Sequence, residues 1–174
     1  MKRLSDTKFI SVLGNVQQVI VLVLITIIPI LVVIQVILRY VLQMPLMGIE
    51  EIMLFPTIWL YMLGGSVASK EQNHIEAGIL VLYIKKEKSL ALFKLVRIFI
   101  ATLVSCWLTF WAFKYFMYSL RVWKLSSLLY LPLFFGESAM FIGLLLMTLF
   151  TIVELTERYS TYSELRNDSA ARRS

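Results

Sequence analysis

The stretch FISVLGNVQQVIVLVLITIIPILVVIQVIL, Phe9–Leu38, decides the fold class of this chain. It runs for thirty residues without a charged side chain, whereas about 20 apolar residues are enough for a helix to cross the hydrocarbon core of a bilayer. A secretory signal peptide has an apolar region of only about 7–15 residues, so we expect this segment to be retained as a membrane anchor. The stretch therefore predicts an integral membrane protein.

The composition of the whole chain supports membrane residence. Of its 174 residues, 59% are hydrophobic, which leaves too little polar surface for a soluble domain of this size. The net charge of +6 does not indicate a nucleic-acid-binding protein, because the basic residues lie between apolar runs. The single cysteine, Cys106, excludes an intramolecular disulfide, and its apolar setting predicts a small buried side chain.

Four apolar runs predict an all-α polytopic protein with four transmembrane helices. A membrane domain (16–153) is expected between a cytoplasmic N-terminal segment (1–15) and a C-terminal tail (154–174) that is helical at first and then disordered. The expected spans are about 16–38, 50–69, 92–117 and 131–153.

Local signals refine these spans. The polar stretch Lys70–Ser89 has apolar residues at helical spacing and predicts an amphipathic interfacial helix between the second and third spans. The alternative is a cytosolic segment that leads into the third span. Pro132 is expected in the first turn of the fourth span, and Gly64 with Gly65 is expected to let another backbone approach closely.

The distribution of basic residues predicts the orientation. Four spans place both termini and the central polar stretch on one side, which then carries thirteen of the seventeen Lys and Arg residues. The other side carries Arg39, Lys114, Arg121 and Lys124. The positive-inside rule therefore predicts cytoplasmic termini.

Charged residues at the ends of the spans are the candidates for function. Arg39 follows the first span, and Glu50 and Glu51 begin the second, where they suit the ends of helices and could form an ion pair. Glu137 lies about one turn inside the fourth span. It could bind a cation, relay protons or pair with a basic residue, or it could simply lie at the outer interface.

The sequence shows no pattern typical of an enzyme. His74 is the only histidine, which excludes a multi-histidine metal site or a bis-histidine haem within one chain. It is most simply a solvated loop residue. No Ser/His/Asp set, phosphate-binding glycine loop or CxxC pair is present. We therefore predict no catalytic residues, cofactor or metal.

The order of several short motifs resembles the small, four-helix membrane subunit of tripartite ATP-independent periplasmic (TRAP) transporters. The resemblance covers about 16–153, and two positions depart from it: Gly48 stands where the family often has tryptophan, and Gly78 where it often has aspartate. The matching pieces are Leu38-Arg39-Tyr40, Pro45-Leu46, Glu50-Glu51, Trp59, Gly64-Gly65, Lys70, His74-Ile75, Leu131–Phe135 and Gly143.

The resemblance implies a non-catalytic subunit of a sodium-coupled transporter for organic acids, of the C4-dicarboxylate or sialic acid class, in a bacterial inner membrane. Its expected partners are a large polytopic membrane subunit, which it would scaffold, a transient periplasmic substrate-binding protein and membrane phospholipids. We expect subunit contacts or orientation from six residues, and lipid headgroup contacts from two. The first set is Arg39, Glu50, Glu51, Lys70, His74 and Glu137; the second is Lys94 and Arg97.

Two other functions remain open at this point. A self-sufficient homo-oligomeric transporter would use Glu137 as its coupling acid, although the chain has no internal repeat. A membrane anchor of a redox enzyme would need more histidines than the single one present.

Overall fold

A computed structural model describes residues 8–43, 48–70 and 87–171. Within these residues the chain forms four helices, all long and apolar enough to span a membrane. This confirms the predicted all-α architecture with four transmembrane helices. The predicted interfacial helix falls mainly on residues outside the described ranges. The helices are α1 (Lys8–Tyr40), α2 (Gly48–Lys70), α3 (Glu87–Val122) and α4 (Phe134–Ala171).

The fourth helix begins later than the sequence predicts. It starts at Phe134 instead of Leu131, so the prediction that Pro132 occupies its first turn is wrong. Pro132 instead pairs with Leu125 in an antiparallel bridge, which holds its backbone extended before the helix begins. At its other end α4 continues through the tail to Ala171.

A short hairpin, residues 123–133, joins α3 to α4. The Ser126 N–H donates to the Leu131 carbonyl at 2.8 Å, and the Leu133 N–H donates to the Lys124 carbonyl at 2.9 Å. These two bonds close the hairpin on either side of its bridge. The chain therefore reverses direction within a few residues, and α3 and α4 pack antiparallel.

The described helices pack side by side in the order α1, α2, α4, α3. Helices α2 and α4 run parallel, since Gly136 faces Phe55 and Gly143 faces Met62 further along both helices. We call the end with the hairpin the loop end, and the opposite end, where α1 starts and α2 finishes, the tail end. Among the described residues, α1 and α3 form the two edges of this row.

The closest approach between α2 and α4 occurs at Gly143. A Cβ on Gly143 would lie 2.6 Å from the Met62 Cβ and 3.0 Å from the Met62 carbonyl oxygen, so only glycine permits this contact. The expectation that Gly64 and Gly65 bring another backbone close is wrong. Gly64 has no neighbour within 4 Å, and Gly65 meets only the terminal methyl of Met147.

Hydroxyl groups join α3 to α4 midway along their shared interface. The Thr148 hydroxyl lies 2.6 Å from the Ser105 hydroxyl and 2.7 Å from the Thr109 hydroxyl. One turn closer to the tail end, the Thr102 hydroxyl reaches the Thr151 carbonyl at 3.4 Å. We call these five residues the hydroxyl seam. Such polar contacts supply directional attraction between helices where lipid removes the hydrophobic driving force.

The contact between α1 and α2 is sparser and lies at the tail end. The Gln17 side chain donates to the Ser66 hydroxyl at 3.0 Å, and both residues are buried. The Lys70 side chain lies directly across Gly14, in space that a Cβ would otherwise fill. Most of the remaining surface of α1 is exposed.

Cys106 does not occupy the predicted buried position. It lies on the outward face of α3 and is exposed. The neighbouring position Ser105 faces α4 instead, because consecutive residues on a helix point about 100° apart. An apolar sequence context therefore did not identify a buried face, since both faces of α3 are apolar.

Candidate functional site at the loop end

Three carboxylates at the loop end each stabilise a different junction of the fold. Glu50, at the start of α2, accepts a hydrogen bond from the Gln35 side chain of α1 at 2.9 Å. Glu50 is exposed, whereas its neighbour Glu51 is half-buried and points toward the hairpin. The two adjacent acids therefore have different surroundings, and the sequence alone did not distinguish them.

Glu51 binds the tip of the hairpin. Its carboxylate accepts the backbone N–H groups of Leu128 and Leu129, each at 3.0 Å, and the Ser127 hydroxyl at 3.1 Å. Turn N–H groups have no partner within the hairpin itself, so a carboxylate satisfies them. Glu51 thereby attaches the α3–α4 connection to the start of α2.

Gly48 gives the hairpin room to reach this position. A Cβ on Gly48 would lie 2.9 Å from the Leu129 Cδ2 atom. A larger side chain at this position would require the Leu129 side chain to move. The absence of a side chain at Gly48 therefore accompanies the close packing of this hairpin on α2.

Glu137 joins α4 to α3. It lies in the first turn of α4, where the N-terminal end of the helix favours a negative charge. Its carboxylate accepts the Tyr115 hydroxyl at 2.7 Å and also accepts the Ser119 hydroxyl. Glu137 is therefore an end-of-helix residue whose partners are neutral donors.

Three basic residues of the loop end lie over aromatic rings. The Arg39 guanidinium carbon is 5.8 Å from the Tyr40 ring centroid, Lys114 Nζ is 4.8 Å from the Phe110 centroid, and Lys124 Nζ is 5.3 Å from the Tyr118 centroid. Such contacts are cation–π interactions.

The carboxylates of the loop end have neutral partners among the described residues. In the part of the chain that the structure describes, Glu50, Glu51 and Glu137 accept hydrogen bonds from neutral donors and form no ion pair. The pair suggested between Arg39 and one of the α2 glutamates is absent there.

The remaining predicted site residues lie at the tail end or outside the described ranges. Lys70 ends α2 against Gly14, and Lys94 and Arg97 are half-buried near the start of α3. His74 lies outside the described residues. The structure therefore brings Arg39, Glu50, Glu51 and Glu137 to one end and separates them from the basic residues of the tail end.

Sequence reasoning missed several contacts. The Trp59 indole N–H donates to the Phe135 carbonyl at 2.9 Å, which fixes α2 against the start of α4. Glu154 is only 3% exposed; one of its oxygens lies 3.4 Å from Arg158, and the other has no hydrogen-bond partner among the described residues. The sequence did carry a signal for the hydroxyl seam. Its Ser and Thr residues recur at three- and four-residue spacing within apolar spans, which places them on one face of each helix.

A comparison with known families identifies the chain. The description "Tripartite ATP-independent periplasmic transporters, DctQ component" matches residues 28–161, more than half of the chain. The chain belongs to this family. It is thus a small membrane subunit of the TRAP transporter type and a multi-pass inner-membrane protein. No curated relative and no solved structure matches it.

The matched range covers the loop-end residues of this DctQ-family chain. Residues 28–161 include Arg39, Glu50, Glu51 and Glu137, together with all of the hairpin contacts described above. The family is a component of a transporter assembly, so these residues belong to a subunit that works beside other subunits. Within the described residues, no group of three or more His, Cys, Asp or Glu side chains comes together.

Proposed function

We propose that this chain is the non-catalytic scaffold subunit of a sodium-coupled transporter for organic acids of the C4-dicarboxylate or sialic acid class. A larger polytopic subunit would carry the substrate, and a periplasmic binding protein would deliver it. The observation that carries the scaffold role is the open row of helices. Helix α1 presents a long apolar surface that no described helix covers.

The row supports a bracing role for a physical reason. Four helices packed side by side have two open edges, α1 and α3, so the subunit can widen the membrane part of an assembly without enclosing a pathway of its own. The internal polar contacts are hydrogen bonds that hold the row together. Arg39, which forms no ion pair with the described glutamates, is then placed to contact the large subunit.

We further propose that the loop end faces the periplasm and the tail end the cytoplasm, as the basic residues indicate. Lys94 and Arg97 would contact phospholipid phosphates on the cytoplasmic side. Single cysteines introduced at Leu128 and Thr161, in a Cys106→Ser background, test the orientation. A membrane-impermeant maleimide added to spheroplasts should label the first and spare the second. The opposite labelling would reverse the orientation.

The structure gives no support to a self-sufficient transporter that uses Glu137. Phe113 and Phe116 pack on Phe141, with ring centroids 5.6 and 5.0 Å from it. These rings lie between Glu137 and the hydroxyl seam. A proton relay needs connected polar groups, and this aromatic layer interrupts them on the α3–α4 interface.

Gentle solubilisation of the tagged chain, followed by identification of co-purifying proteins by mass spectrometry, tests the accessory role. We expect one much larger polytopic protein in fixed stoichiometry. Arg39→Ala and Glu50→Ala should reduce its recovery and the uptake of organic acid by cells. Recovery of the folded chain alone would contradict the scaffold role. If both variants assemble and support uptake like the wild type, Arg39 and Glu50 do not contribute to that role.

A further inference from the structure

The outward face of α3 combines charged and aromatic side chains. Helix α3 is one of the two open edges of the row. Six exposed side chains, at spacings of three and four residues, lie on its side away from α4. We call this set the α3 edge stripe; it consists of Leu103, Trp107, Trp111, Lys114, Tyr118 and Arg121.

Lys114 places a positive charge inside the apolar part of α3. It is the only charged residue in the 23-residue stretch between Arg97 and Arg121. Charges mark the ends of membrane spans, so Lys114 lies within this span, about 10 Å along the helix axis from Arg121. Its Nζ atom is 4.8 Å from the Phe110 ring centroid and 5.2 Å from the Trp111 centroid. Both rings belong to the preceding turn, so the ammonium group points away from the nearer end of α3.

The charge of Lys114 has no acidic partner within the described residues. Its ammonium group contacts only aromatic rings there. An ionisable side chain inside a membrane span is costly in lipid and normally faces a partner group or a water-filled cavity. Lys114 is exposed on the outside of the row instead. A counter-charge must therefore come from a molecule outside this chain.

Trp107 supplies an independent observation on the same stripe. Its side chain is 64% exposed, and its indole N–H donates to no acceptor in the part of the chain that the structure describes. It lies ten residues after Arg97 and fourteen before Arg121, near the middle of the span. Tryptophan is enriched instead at membrane interfaces, where the N–H can reach water or headgroups. Lipid tails offer no acceptor, so this N–H also indicates a partner.

We propose that the large membrane subunit docks on the α3 edge stripe. One of its transmembrane helices would present a carboxylate to Lys114 and a hydroxyl or carbonyl oxygen to Trp107. Trp111 and Tyr118 would pack on the same helix beside the ion pair. The inference rests on the proposed function, which supplies the partner, and it selects which of the two open edges that partner covers.

The other open edge lacks these features. Between Val19 and Ile34 the one polar side chain of α1 is Thr26, whose hydroxyl donates to the Leu22 carbonyl of its own helix. Lipid tails solvate an aliphatic surface of this kind as well as a protein does. Lipid alone is therefore sufficient to cover this part of α1.

A phospholipid does not meet both requirements of the α3 edge stripe. Its phosphate lies outside the hydrocarbon core, whereas the ammonium group of Lys114 points into the span. Its acyl chains give the indole N–H of Trp107 no acceptor. A protein helix can supply polar groups at both levels, because its side chains project along its whole length.

Photo-crosslinking tests which edge the large subunit covers. A photoreactive amino acid replaces Leu103 on α3 or, as the matched control, Leu22 on α1; the two leucines are similarly exposed, at 59% and 66%. Cells that express the whole transporter are then irradiated. The α3 position should crosslink to the large subunit, and the α1 position should not.

Substitutions at Lys114 test the ion pair. Lys114→Met removes the charge and should lower recovery of the large subunit with the tagged chain about tenfold, because the carboxylate of the partner is left unpaired. Lys114→Arg keeps the charge and the contact with aromatic rings, so recovery should stay within about threefold of the wild-type value. Arg121→Met is the matched control. It removes a charge of the same stripe at the end of α3, where water and salt screen it, and should change recovery by less than about twofold.

Trp107→Phe tests the second contact. It keeps an aromatic ring and removes the N–H, and it should lower recovery of the large subunit about threefold through the loss of one hydrogen bond. Lys114→Met should not impair folding, because it removes a charge from a membrane span. Monodisperse elution of each purified variant checks this.

The outcomes separate the two proposals. If the wild-type chain recovers no large subunit, both fail. If it does recover the large subunit but crosslinks to it only from Leu22, or if Lys114→Met assembles like the wild type, the inference is wrong and the proposed function stands. Equal losses with Lys114→Met and Arg121→Met would show a diffuse charge effect and overturn the ion pair. A crosslink from Leu103 to a second copy of this chain, or a phospholipid lost from Lys114→Met with unchanged recovery, would overturn docking of the large subunit on this stripe.

Discussion

Helices α1 and α4 differ in a way that reverses the rule for soluble proteins. Helix α1 is the most apolar of the four helices, yet none of its most apolar 18-residue stretch is buried; in the less apolar α4, 39% of the corresponding stretch is buried. In water, the more apolar helix would be expected inside. In a bilayer the lipid tails are as apolar as leucine, so apolar character alone gives a helix no reason to leave the lipid.

The buried surface of α4 shows what drives packing instead. Its interface positions include Gly143 against Met62, the fully buried Ala139 and the hydroxyls of Thr148 and Thr151. The corresponding features of α1 are Gly14 and Gln17, both at the tail end. Small residues and hydroxyls therefore mark the packed helix, and a nearly pure aliphatic surface marks the edge of the row.

Gly143→Ala should have the largest effect on stability among these interface changes. The new methyl group would meet the Met62 backbone, which cannot rotate away, so α2 and α4 must separate. We expect a loss of about 1–3 kcal/mol in the free energy of unfolding, as for other overpacked interfaces. Thermal or denaturant unfolding in detergent micelles would measure it.

Gly64→Ala is the control for this change. It makes the same substitution in α2 at a position with open space around it, and alanine is a better helix former than glycine by about 1 kcal/mol. The stability should therefore be unchanged or slightly higher. Equal losses at Gly64 and Gly143 would show that close backbone contact is not what holds α2 to α4.

Thr148→Val should have an intermediate effect. The substitution keeps the shape but leaves the Ser105 and Thr109 hydroxyls without their shared partner. Hydrogen bonds between membrane helices contribute about 0.6 kcal/mol on average and up to about 1.7 kcal/mol. We expect a loss in that range, measured by the same unfolding assay.

Thr26→Val provides the comparison on α1. The Thr26 hydroxyl donates to the Leu22 carbonyl of its own helix at 2.9 Å and is exposed, so its removal should cost almost nothing. If Thr26→Val and Thr148→Val destabilise equally, the effect comes from changes within each helix. The hydroxyl seam would then lose its role in pairing α3 with α4.

Gly14→Ala should have the smallest effect, although its new methyl group also meets a neighbour. That neighbour is the flexible end of the Lys70 side chain, which can adopt another rotamer. We expect a change within about 0.5 kcal/mol, typical of positions without a rigid contact. If Gly14→Ala lowered the free energy of unfolding as much as Gly143→Ala, α1 would be packed as tightly as α4. The two helices would then not differ in the way described above.

The sequence predicted the number and type of the helices because hydropathy and length depend on local composition alone. It also placed Arg39 and the acids at helix ends, because charges avoid the bilayer centre. These inferences require no knowledge of which helix faces which. The order α1, α2, α4, α3 does require it, and no periodic signal in these apolar spans supplied that order.

The details of the loop end depended on contacts between residues distant in sequence. Glu50 and Glu51 are adjacent and chemically identical, yet one binds Gln35 and the other binds the hairpin 77 residues away. Pro132 was expected inside α4 because proline suits a first turn, but its pairing with Leu125 displaced the helix start. Contacts between residues far apart in the sequence therefore determined both the partners of these glutamates and the start of α4.

The length of α4 has a mechanical consequence. Its 38 residues run without interruption from Phe134 to Ala171, a rod of about 57 Å at 1.5 Å per residue. The hydrocarbon core of a bilayer is only about 30 Å thick, and helices adjust to its thickness by tilting. A rigid tilt of about 10° about the start of the rod would carry Ala171 sideways by about 10 Å, so the far tip of α4 amplifies small changes in bilayer thickness into large displacements.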